Sequence, residues 1–160
     1  MHPTRNDLDL ETRQRVVALL NASLADVLDL HLQAKHAHWN VKGPNFIALH
    51  ELFDKVASEL DDHADELAER ATALGGIAEG TLQAVTGRTR LELYPIALVE
   101  GRAHVEALAA ALARFGKSVR KALDESGKLG DADTSDLFTG VSRSTDKQLW
   151  LLEAHLQAER

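Results

Sequence analysis

From Phe46 to Leu74 the apolar residues fall at Phe46, Leu49, Phe53, Val56, Leu60, Ala64, Leu67, Ala71 and Leu74. Every step is three or four residues, which is the period of one buried stripe on a long amphipathic helix. Such a stripe is stable only when other helices cover it. The segment therefore predicts a helical bundle before anything else is known. Its limits are also written locally. Asn40-Val41-Lys42-Gly43-Pro44 is a turn that a helix does not cross, Asn45 is placed to cap the next helix, and Gly75-Gly76 stops it.

The rest of the chain agrees. A first helical pattern runs from about Leu10 to Trp39. The stretch from Ile77 to Tyr94 contains a short helix near Glu79 to Val85, and Gly87 and Pro95 punctuate it. A third, alanine-rich pattern spans about Pro95 to Leu123 and is broken by Gly127 and Gly130. A fourth begins at Asp131 or Asp133 and continues to the C-terminus. The fold class expected is all-α: a four-helix bundle with a short extra helix in the long connection between helices two and three. Residues 1–160 read as one domain, with 1–9 a flexible N-terminal arm.

Composition removes several functions. There is no cysteine, which excludes disulfides, zinc fingers and thiol catalysis. The net charge of −7 repels nucleic acid unless a local basic arm overcomes it. Met1 to Arg15 is polar with no apolar run, and no stretch is expected to reach membrane-spanning length. The expectation is a cytoplasmic protein without a membrane partner.

The residues that carry chemistry are His38, His50, Asp54, Asp65 and Glu69. His50 and Asp54 lie four apart, as do Asp65 and Glu69, so each pair shares one helical face. Imidazole with carboxylate suits iron, manganese or zinc. Asp54 and Asp65 are eleven residues apart on one helix, or roughly 16 Å at 1.5 Å per residue. One metal centre does not bridge that gap. Either the pairs are unrelated, or a second copy completes each. A two-fold axis near residues 59–60 would set two copies of this helix antiparallel and produce two equivalent sites. His38 would join His50 and Asp54 by folding back across the turn. Each acidic pair taken alone is more often a solvated face.

These residues also carry a family pattern. Lys35-His36-Ala37-His38-Trp39-Asn40-Val41-Lys42-Gly43, with Phe46, Leu49-His50 and Phe53-Asp54, resembles the Dps family, DNA-binding proteins from starved cells. Asp61-Asp62-His63-Ala64-Asp65-Glu66-Leu67-Ala68-Glu69-Arg70 resembles its second signature, followed by Leu74-Gly75-Gly76. Weaker similarity runs from about Thr4 to Glu153, through Tyr94-Pro95 and Leu149-Trp150. The resemblance implies a ferritin-like mini-ferritin: a hollow homododecamer that oxidises Fe(II) with hydrogen peroxide or oxygen and stores Fe(III) mineral, protecting the cell from oxidative damage. It implies that His38, His50 and Asp54 come from one subunit and Asp65 and Glu69 from its two-fold mate. It also places Asp131, Asp133 and Asp136 at an acidic iron-entry pore, although capping of the fourth helix explains acids there equally well. Trp39 is a candidate trap for a stray oxidising equivalent, or else a core aromatic. Lys35 and Asp62 are candidates to tune the site from behind the ligands. Asp61, Asp62 and Glu66 are candidates to nucleate mineral. His31, His36, His63, His104 and His155 are not needed for the site.

The DNA-binding half of the family's description fits less well. Arg5, Arg13 and Arg15 are balanced by Asp7, Asp9 and Glu11, and the arm has no lysine. The C-terminal end is short and not basic. Arg114, Lys117 and Lys121 form a small basic stripe that a solvated helix end explains. DNA binding is expected to be weak or absent. The alternatives are a DNA-coating, nucleoid-associated protection protein with incidental iron chemistry, and a plain structural bundle.

Overall fold

The computed structural model describes residues 1–157. It contains five helices: α1 Leu10–Asn40, α2 Phe46–Ala73, α3 Leu82–Arg88, α4 Gly101–Lys128 and α5 Ala132–Glu153. The four long ones form the bundle, and α3 lies in the connection between α2 and α4, as the periodicity implied.

Several boundaries differ from the sequence expectation. The third long helix begins at Gly101 rather than Pro95. Pro95 to Val99 instead forms a turn, closed by Leu98 N–H to the Pro95 carbonyl, and Lys42 N–H bonds the Val99 carbonyl. That anchor keeps Val99 and Glu100 out of the helix. The same helix passes through Gly127 and ends at Lys128, with Gly130 just beyond it at φ +84°. The six-residue bond from Asp131 N–H to the Ser126 carbonyl closes that end. The short helix is shifted to Leu82–Arg88, because Thr81 accepts from Ala84 N–H and starts it there. Gly87 lies inside it. Asn45 does occupy the cap position of α2, but its side chain makes no capping bond. The last helix ends at Glu153 rather than at the C-terminus. The expectation that the extreme C-terminus is not basic falls partly on 158–160, outside the described residues.

The arm is tied to the bundle. His2 N–H bonds the Gly75 carbonyl, and Arg13 reaches the Leu74 carbonyl. Asp9 caps α1 by accepting from Thr12 N–H and from its hydroxyl.

The long connection is stitched along α1. Asn21 bonds the Ile77 carbonyl and Glu79 N–H, Asp26 holds Arg90, Asp29 accepts from Thr89, and Gln33 reaches the Glu92 carbonyl. From Ile77 to Glu92 the connection moves along α1 from Asn21 to Gln33. The chain thus travels the length of the bundle before α4 begins. The core between the helices holds Leu20, Leu30, Phe53, Leu60, Leu67, Leu108, Leu112, Phe115, Phe138 and Leu152, all fully buried or nearly so. Each such side chain contributes about 1.5–3 kcal/mol. By length and composition alone α1 is long and apolar enough to cross a membrane, with a window of mean hydropathy 1.3, contrary to the sequence expectation. Most of that window, 61%, is buried inside the bundle.

Candidate metal centre

The turn between α1 and α2 folds His38 back onto His50. The two rings stack with centroids 3.7 Å apart. His38 Nδ1 bonds the His50 carbonyl, and His50 Nδ1 bonds the His38 carbonyl, each at 2.8 Å. A carbonyl only accepts, so both Nδ1 atoms carry the proton. In the neutral rings both Nε2 atoms then hold the lone pairs, the tautomer a metal ligand needs. Phe46 stands 5.1 Å from the His50 ring.

Asp54, one turn after His50, brings Oδ1 to 3.9 Å from His38 Nε2. The Lys35 ammonium donates to the same oxygen at 2.6 Å. That bond is the main cause that holds the Asp54 carboxyl below the usual carboxylate range; desolvation opposes it, and the Lys35 charge, with the imidazoles of His38 and His50 when protonated, adds to it. Lys35 thus supplies positive charge at a carboxylate facing solvent. Its Nζ also lies 5.7 Å over the Trp39 ring. Trp39 is 64% exposed, so it is not the core aromatic that was its alternative reading.

Asp65 and Glu69 lie further along α2, both exposed. With Asp61 and Asp62, Asp65 rims a hollow floored by Leu24, Leu28 and Ala64. Asp62 therefore belongs with the Asp65 end of the helix. Among the described residues of this single chain, no three His, Asp or Glu donors gather to hold a metal ion. The chain presents a histidine-carboxylate half and a dicarboxylate half, separated along one helix.

The three candidate pore acids divide. Asp131 is buried, 2% exposed, and its carboxylate accepts from Arg70 at 2.8 Å, Thr134 N–H at 3.0 Å and the Thr134 hydroxyl at 2.6 Å. It caps α5 and ties α5 to α2, so it faces inward and not into an opening. Asp133 and Asp136 are exposed and share a depression with Glu66, Glu69 and Arg143. His31 is packed rather than free, with Nδ1 on the Ala57 carbonyl. Sequence reasoning passed over His104, which is fully buried and hydrogen-bonded to Tyr94. Only the His104 position on the apolar face of α4 signalled this.

A bundle of four long helices, with a crossover and inward-turned histidines beside carboxylates, defines the ferritin-like class. The sequence profile of the ferritin-like domain matches residues 17–160. The chain is 48% identical to the DNA protection during starvation protein of Agrobacterium fabrum, over 98% of this chain and 96% of that relative. It superposes on Mycobacterium smegmatis Dps with a TM-score of 0.94 at 32% identity, covering 99% of this chain and 95% of that one. Dps from Vibrio cholerae, described as a member of a broad superfamily of ferritin-like diiron-carboxylate proteins, superposes with a TM-score of 0.91 at 26% identity, covering 98% of each chain. The chain belongs to the Dps family.

Proposed function

We propose that this protein is an iron-oxidising and iron-storing mini-ferritin, in which each oxidation site is built from two copies of the chain. The carrying observation is the reciprocal His38–His50 lock, which presents two lone pairs beside Asp54 with no third donor pair nearby. Asp65 and Glu69 are the complementary half. They lie roughly 16 Å along the same helix from Asp54, so a two-fold mate running antiparallel supplies them. The assembly is a homododecamer of such dimers, and the cytoplasm is its location.

Fe(II) is the substrate. The histidines bind it without adding charge, and the carboxylates of Asp54, Asp65 and Glu69 offset the extra positive charge of Fe(III). Hydrogen peroxide, or oxygen, takes the electrons, and the Fe(III) mineral is held inside the cage. Lys35 must release Asp54 when iron arrives. Trp39, beside a ligand and exposed, is a sacrificial electron donor. Asp62 tunes the Asp65 half by its charge. Asp133 and Asp136 line the iron-entry path; Asp131 is assigned to capping. DNA binding is weak or absent, because the arm is charge-balanced and tied down at His2.

The test is Fe(II) oxidation by peroxide, comparing the parent with His50→Ala and Asp65→Ala. Both variants should lose most of the initial rate. Full rates in both would remove the site assignment.

A further inference from the structure

Tyr94 is the single tyrosine of the chain. It sits in the connection ahead of α4, and its hydroxyl lies 2.7 Å from Nδ1 of His104. The two rings are close to parallel, at 19°, with centroids 6.1 Å apart. His104 is fully buried, and its Nε2 has no hydrogen-bond partner among the described residues. Burial pushes the His104 pKa down, an effect partly offset by the Leu98 backbone and reinforced by His36. The ring is therefore neutral at neutral pH. Burial pushes the Tyr94 phenol up, so it stays protonated. The phenol is the better acid and the imidazole the better base, so Tyr94 O–H donates to Nδ1.

The pair packs against two residues that neighbour the histidine-carboxylate half in sequence. The His36 ring stands edge-on to Tyr94 at 5.4 Å, and His36 precedes His38 by two residues, about 3 Å of helical rise. On the other side the Phe53 ring is 6.2 Å from His104, and Phe53 precedes Asp54. With the Tyr94 O–H on Nδ1, the neutral ring carries its own proton on Nε2, and Nδ1 holds the lone pair that faces the phenol.

We propose that Tyr94 and His104 form a proton-coupled one-electron donor, which completes peroxide reduction when a shared site holds a single Fe(II). This rests on the Fe(II)-oxidising reading of that site. Peroxide reduction needs two electrons, and one Fe(II) supplies one. The O–O bond breaks to give hydroxide and a hydroxyl radical. The second electron comes from Tyr94, reducing that radical to a second hydroxide. The phenolic proton passes to His104 Nδ1, leaving a neutral tyrosyl radical beside an imidazolium. In sum, Fe(II), hydrogen peroxide, Tyr–OH and His become Fe(III), two hydroxides, Tyr–O• and HisH⁺. A second Fe(II) then returns one electron, the proton moves back, and the pair is restored.

The experiment is rapid-freeze EPR on the assembled protein, given one Fe(II) per site and then peroxide, with ring-deuterated tyrosine as label. Because there is one tyrosine, a deuterium-narrowed radical belongs to Tyr94 and not to Trp39 or Trp150. The parent should show it. Tyr94→Phe, which keeps the ring packing, should lose it and release more hydroxyl radical to a spin trap. His104→Gln should lower its yield. A second arm uses flash photo-oxidation by a ruthenium polypyridyl complex on metal-free protein. There the tyrosyl radical should form more slowly in deuterated water. Absence of a deuterium-sensitive radical in both arms overturns the pair. If the flash arm succeeds while iron oxidation proves independent of His50 and Asp65, the pair stands and the reading of the site fails.

Discussion

Replacing Asp131 by alanine separates a capping role from a pore role. Its carboxylate, 2% exposed, caps α5 through Thr134 N–H and receives a charged bond from Arg70. Loss of an N-cap costs about 1 kcal/mol. Loss of a hydrogen bond to a charged group costs about 1.5–3 kcal/mol. A stranded buried charge would cost more, about 3–5 kcal/mol. Arg70, however, is partly exposed and keeps the Thr134 hydroxyl at 2.9 Å and Asp133 at 3.9 Å. The sum for Asp131→Ala is therefore about 3 kcal/mol. For a chain of this size that lowers Tm by about 6–12 °C. Asp131→Asn keeps the capping oxygen and loses the charge, so it should fall about halfway. The assay is thermal unfolding by circular dichroism at fixed protomer concentration, because assembly couples to stability. An Asp131→Ala protein that melts within about 2 °C of the parent but takes up Fe(II) slowly would refute the capping argument and restore the pore.

Four further outcomes are expected. An equal mixture of His50→Ala and Asp65→Ala subunits, after exchange, should regain about a quarter of the intact sites, since each mixed two-fold dimer holds one undamaged site; no recovery, with exchange shown by native mass spectrometry, would rule out sharing. Lys35→Gln should raise the Asp54 pKa, because the Lys35 bond is the main cause that lowers it. A depressed carboxyl stays ionised to lower pH and gives up its stabilisation as pH falls through the folded pKa, so in the variant this loss shifts to higher pH; an unchanged carbon-13 NMR titration of Asp54 in metal-free protein would contradict this. Gly76→Ala should cost about 1–3 kcal/mol, since its Cβ would sit 2.6 Å from Val17 Cγ1 and 2.8 Å from the Ala71 carbonyl; denaturant midpoints test it. Gel-shift titration with duplex DNA at physiological salt should show no retardation, and a salt-sensitive shift would favour the DNA-coating alternative.

The elements differ in how legible they were. The α2 stripe was readable because threes and fours repeat for eight steps, and Leu49, Phe53, Val56, Leu60, Ala64, Leu67, Ala71 and Leu74 are all buried. Phe46, at the open end, is exposed where the stripe outruns its partner helix. Pro95 looked like a helix start, but the segment turns there, and a backbone bond from Lys42, far away in the chain, holds its end at Val99 out of the helix. Asp131 was legible as a cap and not as an inward residue, since Arg70 lies 61 positions earlier. Trp39 stood as an oxidation trap or a core aromatic, because one residue at a helix end has no periodicity around it, and only the structure shows it exposed.

The periodicity and the spacing by themselves determined that this chain is a helical bundle, and that Asp54 and Asp65, eleven residues apart, share one metal only through a second copy. Both follow from the fixed rise and turn of a helix, which any residue pair on it inherits. Only the tertiary structure decided which ring nitrogen of His38 and His50 bonds a carbonyl, that Lys35 sits on Asp54, that Asp131 turns inward, and that Tyr94 meets His104. Those depend on which face of one helix or connection meets which face of another, and no local period encodes that meeting.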